Sequence, residues 1–228
     1  MINHLVAPSL RMVALSVAIS APLFAQSVAD RGALAIRSGN DTVVVDRFIR
    51  TADTLKGTVQ VKGQPRIDYL ALLGPNDRVR VLLLGVFAPG AAPDAAPIQR
   101  IRMTVQGDTV VAETPSGTQR MATTAGAIPM FNNALALSEL FTRRARAAGG
   151  TADVPYFAIN GGTTLTVAVR PATADTLTVS IATQVQRFRV DPAGRILGGV
   201  VAGTPFEFVR LGAEAANGLN VMLRLAPD

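Results

Sequence analysis

"RIDYLALLGPNDRVRVLLL", residues 66–84, decides the fold. Two apolar runs rich in Ile, Tyr, Leu and Val flank Gly74-Pro75-Asn76-Asp77. Pro fixes φ near the value a turn needs, while Asn and Asp tolerate the left-handed region and close side chain to backbone hydrogen bonds. So short a connection can join only antiparallel neighbours, because a parallel crossover needs a dozen residues or more. The stretch is a β-hairpin.

Outward from it the same grammar repeats. Strands are expected at Thr42 to Arg50, Thr54 to Val61, Arg66 to Leu73, Arg78 to Phe87, Ile98 to Val105, Thr109 to Glu113 and Gln119 to Thr123. Others are expected at Thr163 to Arg170, Thr176 to Thr183, Val185 to Val190, Ile196 to Val201, Phe206 to Leu211 and Leu219 to Leu225. Each is rich in β-branched or large apolar residues. "QGD" at 106–108, "NGG" at 160–162 and "DPAG" at 191–194 supply further turn chemistry. With no room for helical crossovers, the sheet is an antiparallel meander.

Four phrases open strands in the same way: "NDTVVVDR" from Asn40, "ADTLKGTV" from Ala52, "GDTVVAET" from Gly107 and "ADTLTVSI" from Ala174. An aspartic protease carries Asp-Thr-Gly in a tight catalytic loop and shares one proton between two such carboxylates. Here the third residue is Val43, Leu55, Val110 or Leu177, and each Asp precedes a strand rather than following one. Asp41, Asp53, Asp108 and Asp175 are therefore turn punctuation, expected at exposed strand ends.

Two stretches break the rhythm. "APGAAPDAAP", 88–97, is an Ala/Pro loop without apolar bulk. "FNNALALSELFTRRARAAGG", 131–150, predicts a helix over about 131–148, capped by Asn132 or Asn133, carrying a Glu139–Arg143 pair and stopped by Gly149-Gly150. Leu137, Leu140, Phe141 and Arg144 form a stripe that must be buried on the sheet. The fold class is mainly β: one curved antiparallel meander sheet or partial barrel, with one helix packed against a face or mouth.

Residues 1–25 read as a secretory signal peptide: Arg11 without an acid, an apolar run from Met12 to Ala25, and a small residue before Gln26. The run is too short to span a bilayer, so cleavage near Ala25 leaves residues 26–228 as one β-rich domain, periplasmic or secreted, with no membrane span. The chain has no cysteine, and its one histidine, His4, lies in the signal. Ser-His-Asp and Cys-His nucleophiles, disulfides and the usual zinc sets are thereby excluded. No enzyme, metal or cofactor signature remains. An outer-membrane barrel is disfavoured because there is no Trp, only two Tyr, and thus no aromatic girdle.

A net charge of +6 favours anionic surfaces. Nucleic acid is a poor partner for an exported chain without an aromatic-basic stacking motif. The basic residues have one pattern: "RVR" at 78–80, "RIR" at 100–102 and "RFR" at 187–189. Residues two apart on a strand share a face, so each pair projects its two guanidinium groups together, and Arg78, Arg80, Arg100, Arg102, Arg187 and Arg189 are candidates for contact with an anionic partner. The alternative is a solvated outer face whose arginine stems cover apolar surface. Closing the hairpin across 88–97 sets Arg100 near Leu84 and Arg102 near Leu82, a register that spreads the arginine pairs apart rather than stacking them into one cluster. The opposite face holds Ile67, Tyr69, Val79, Ile101 and Phe188, joined by Phe131 and Phe141. These line a cavity for a lipophilic ligand if the sheet is strongly curved, and are core if it is tightly packed.

With the 66–84 hairpin and "QRFRVDPAGRILGG" at 186–199, the chain resembles exported bacterial half-barrel proteins, among them the periplasmic lipoprotein-carrier family and related β-rich domains. The resemblance implies a curved sheet with a helix on its concave side and a lipid or lipid-anchor ligand. No functional residue of that family can be matched here, and none is carried over. The expected function is thus an exported binding or carrier module for a lipophilic or anionic envelope ligand. The alternative is a non-enzymatic structural or interaction domain with a fully packed core.

Overall fold

A computed structural model describes residues 29–221, so the predicted signal segment lies outside the described residues. Among them are fifteen strands: β1 (Asp30–Ser38), β2 (Asp41–Arg50), β3 (Thr54–Val61), β4 (Arg66–Gly74), β5 (Arg78–Phe87), β6 (Gln99–Gln106), β7 (Thr109–Thr114) and β8 (Gly117–Ala122) precede the helix, with the short β9 (Ile128–Met130) leading into it. The helix α1 (Leu135–Ala147) is followed by β10 (Ala152–Ala158), β11 (Thr163–Pro171), β12 (Thr176–Ile181), β13 (Gln184–Val190), β14 (Ile196–Val201) and β15 (Phe206–Leu211).

All fifteen form one sheet, in the order β8-β7-β6-β5-β4-β3-β2-β1-β15-β14-β13-β12-β11-β10-β9. Every pairing is antiparallel except β9 with β10. The sheet is a meander joined at its middle, where β1 pairs with β15. It curls without closing. The edge strand β8 leads, through a hydrogen bond of 2.7 Å between the Thr123 and Thr164 hydroxyls, to the start of β11.

Alternation sets the two faces. On β5, Arg78 and Arg80 are exposed while Val79 is buried, and on β13 Arg187 and Arg189 flank buried Phe188. The registers align Gly32, Phe48, Gly57, Tyr69, Leu84 and Ile101 into one inward row across β1 to β6. At Gly57 a Cβ would collide with the Tyr69 hydroxyl, and at Gly199 it would lie 2.8 Å from Cδ1 of Phe188. An aromatic ring therefore lies over a glycine in each half of the sheet, a device that permits tight curvature. The inward faces and α1 share one apolar cluster.

The Asp-Thr phrases behave as punctuation. Asp41, Asp53, Asp108 and Asp175 are all exposed at strand beginnings. Thr51 and Thr173 each donate a 2.7 Å hydrogen bond to the carboxylate two residues on, Asp53 and Asp175. The carbonyls of Asp53, Asp108 and Asp175 accept from Leu73, Thr123 and Val190 at 2.7 Å, closing the end of a neighbouring strand.

Several expectations are corrected. The helix begins at Leu135, not 131, because Asn133 adopts φ 66° and ends any helical run before it. Neither Asn132 nor Asn133 caps it; the Ala136 N–H donates instead to the Asp46 carboxylate on β2. Its end is as read, with Gly149 and Gly150 at positive φ and the Gly150 N–H returning to the Ala145 carbonyl. Glu139 pairs with Arg210 rather than Arg143, since both stand inside the sheet. The β5/β6 register is one residue from that expected: Arg100 faces Gly85 and Arg102 faces Leu83.

Strands β1, β9 and β10 were not legible. β1 reads Asp-Arg-Gly-Ala-Leu-Ala and is covered on both faces, with Leu34 inward and Ala33 and Ala35 beneath the 3-10 segment Ala213–Ala216. Small residues replace the β-branched pattern there. The expected strand Leu219 to Leu225 is not seen at 219–221, and its remainder lies outside the described residues.

Candidate functional site

The helix occupies the inside of the curl, and what holds it there defines the molecule's chemistry. Asp46 shares inward parity on β2 with Val44 and Phe48 and is fully buried. One carboxyl oxygen accepts from the Tyr69 hydroxyl at 2.9 Å and the other from the Ala136 N–H at 2.8 Å, at the positive end of the helix dipole. Burial is the main cause that pushes the Asp46 pKa up to about 7, against the lowering effect of those hydrogen bonds. Burial and the adjoining Asp46 charge raise Tyr69 well above the ordinary phenol.

One turn on, buried Glu139 accepts from the Ile196 N–H at 2.7 Å and from Arg210 at 2.6 Å. Its pKa is raised by burial, opposed by Arg210 and Arg143. Arg210 also reaches Asp30 at 2.7 Å, and Arg143 reaches the same carboxylate at 3.4 Å. Thr142 donates to the Gly194 carbonyl at 2.6 Å. Arg144 donates to the carbonyls of Gly126 and Asp77 at 2.8 and 3.0 Å, while Arg50 pairs with the Asp77 carboxylate. Both oxygens of Asp46 are engaged within the protein, so this network anchors a helix. Among the described residues no group of three or more His, Cys, Asp and Glu side chains could hold a metal.

The predicted inward residues all join the core cluster. Tyr69, Val79, Phe131, Phe141 and Phe188 are buried, and Ile67 and Ile101 pack against them half-buried. Edge-to-face ring pairs knit them together, Tyr69 with Phe131 at 5.7 Å and Phe188 with Phe208 at 4.8 Å. These residues pack together around α1, and two open grooves lie at the ends of the helix.

One groove, of about 440 Å³, adjoins the start of α1. Val59, Val61, Ile67, Val86 and Phe131 line it, together with the carboxamide residues Gln64, Asn132, Asn133 and Asn160. Ile67 and Phe131 are the predicted ligand residues that reach it. The second, of about 450 Å³, lies at the end of α1 and includes Asp77, Arg78, Arg143 and Arg144.

The arginine pairs are spread over the sheet. Arg78, Arg80, Arg100 and Arg102 lie on β5 and β6, whereas Arg187 and Arg189 lie on β13, with β4, β3, β2, β1, β15 and β14 between. Arg102 is also paired with Glu113 at 3.3 Å. Sequence reading missed Asp46, Glu139 as an interior anion and Arg210. The available signal was strand parity: Asp46 falls in phase with Val44 and Phe48, and Arg210 with Phe208.

No family model matches the chain, and no curated protein matches it by sequence. Among solved structures it is similar to a β-barrel-like protein of the domain of unknown function DUF1849 from Brucella abortus, at 11% identity and a TM-score of 0.46. That likeness covers 81% of this chain and 95% of the other.

Proposed function

We propose that the protein is an exported, non-enzymatic binding module of the cell envelope that holds the end of an uncharged amphiphile at the mouth of its sheet. The observation that carries this reading is the groove of about 440 Å³ beside Phe131, lined by apolar residues and by four carboxamide residues. Apolar walls with a few convergent polar groups suit a ligand that is part hydrocarbon and part hydrogen-bonding head. The interior is filled by α1 and the rings around it, so the ligand sits at the mouth and not along the axis.

Monolauroylglycerol is a suitable probe. Native mass spectrometry should find a saturable adduct, weakened about tenfold or more by Ile67→Asp, which puts a carboxylate into the apolar wall. A protein that takes up no acyl probe, or takes it up equally well after that substitution, would overturn the reading. The packed interior also favours a second reading, an interaction domain using its outward arginines. That reading expects salt-sensitive retention on an anionic envelope fraction, reduced when Arg78, Arg80, Arg100 and Arg102 are changed to Gln.

A further inference from the structure

The groove at the opposite mouth has a different character. Arg78, Arg143 and Arg144 line it together, and Arg50, only 7% exposed, lies close enough to oppose the charge of Arg143. Arg78 opposes Arg144 in the same way. The carboxylates present are already committed: Asp77 to Arg50, Asp153 to Arg170 at 2.6 Å, and Asp30 to Arg210 and Arg143. Arg50 and Arg143 are thereby matched, whereas Arg78 and Arg144 bring positive charge to the groove with no carboxylate ion pair of their own among the described residues.

A hairpin turn borders it. Asn76 and Asp77, in the turn before β5, both adopt left-handed φ, 57° and 56°. Asn and Asp are the non-glycine residues that tolerate this region, and such a turn suits a hairpin. Here it is held by Arg50 on the Asp77 carboxylate and Arg144 on the Asp77 carbonyl, and it starts β5 with Arg78 at the groove. The end of a helix dipole repels anions, and near it the carbonyls of Arg144, Ala145 and Arg146 accept from the N–H groups of Ala148, Gly149 and Gly150. Each guanidinium at the groove carries a full charge, against about half a charge for a helix end. Ala147, Ala148, Val154 and Pro155 give the rest of the groove an apolar lining.

We propose that this groove binds a phosphate group borne on a short apolar body. A phosphate presents more oxygens than a carboxylate and up to two charges, enough to engage more than one guanidinium with greater charge. The site is separate from the groove beside Phe131, and neither depends on the other.

Calorimetry at low ionic strength with hexyl phosphate and inorganic phosphate, plus sedimentation with vesicles of phosphatidic acid in phosphatidylcholine, tests it. Hexyl phosphate should bind about tenfold or more tightly than inorganic phosphate. Arg78→Gln, at an exposed side chain, and Ala147→Glu, which puts a carboxylate in the groove, should each weaken binding about tenfold. Arg187→Gln on β13 should not. Vesicle binding that Ala147→Glu abolishes would make a lipid head the source of the phosphate; hexyl phosphate binding without it would make the source a soluble ester. Binding of neither probe overturns the proposal, as does binding that Arg187→Gln weakens as much as Arg78→Gln does.

Discussion

Asp46 is a lone acid at an inward strand position, without a cation among its hydrogen-bond partners. A buried charge so placed is tolerated only because Tyr69 and the first turn of α1 donate to both oxygens. The consequence is a definite pH dependence. The unfolded side chain releases its proton near 3.8, whereas the folded one holds it to about 7. Between those values the folded state binds one proton more, so this group's contribution falls as pH rises through the window and is level above it. Glu139 is shifted in the same direction, so a variant is needed to isolate Asp46. In urea unfolding, Asp46→Asn should gain stability relative to the wild type as pH rises from about 4 to about 7. A difference that stays constant across that window would mean that the folded carboxyl is already ionised at its lower end.

The helix and the turn between β13 and β14 form one unit. Gly194, at φ +80°, sits so close to α1 that a Cβ would lie 2.6 Å from the Arg143 Cα and 2.8 Å from the Thr142 carbonyl oxygen. These are backbone atoms of a packed helix and cannot swing aside. Gly63, in the turn between β3 and β4, has a similar φ of +73° with nothing within 4 Å of its Cβ position. Both Ala variants meet the left-handed penalty of about 1–2 kcal/mol, so the difference between them isolates the contact. Gly194→Ala should lose at least about 2 kcal/mol more than Gly63→Ala in chemical denaturation; equal losses would show that the turn yields. "DPAG" was legible as a turn, but its docking on the helix was not, because turn chemistry is local and the partner atoms lie some fifty residues away. The same division runs through the other elements. Strands with β-branched alternation, such as β3, β5 and β14, were readable to the residue, while β1, built of Ala and Gly for close packing on both faces, carried no local signal. At the candidate sites Ile67, Phe131 and Arg78 could be named from pattern alone, yet the grooves they reach are made by turns from distant strands.

At the scale of the molecule, the sheet stops short of closure. Its centre is β1, paired on one edge with β2, on the other with β15, and covered outside by Ala213–Ala216. Its margin is β8, paired only with β7 and exposed along almost its whole length. An unpaired edge invites association with other chains, and here the edge residues Thr118, Gln119 and Arg120 are polar, which blunts it. Local opening should follow this gradient, because strands held on one side open without breaking the core. Hydrogen exchange read by mass spectrometry should show peptides from Gly117–Ala122 exchanging far faster than those from Asp30–Ser38. The Thr123–Thr164 hydroxyl pair is a tie between the margin and the far half of the sheet. Thr123→Val should therefore speed exchange across β8 and leave β1 unchanged, the local opening of β8 becoming easier by about 1 kcal/mol. Acceleration reaching β1 would mean that the sheet opens as one cooperative unit, with the seam between its two ends holding the whole curl.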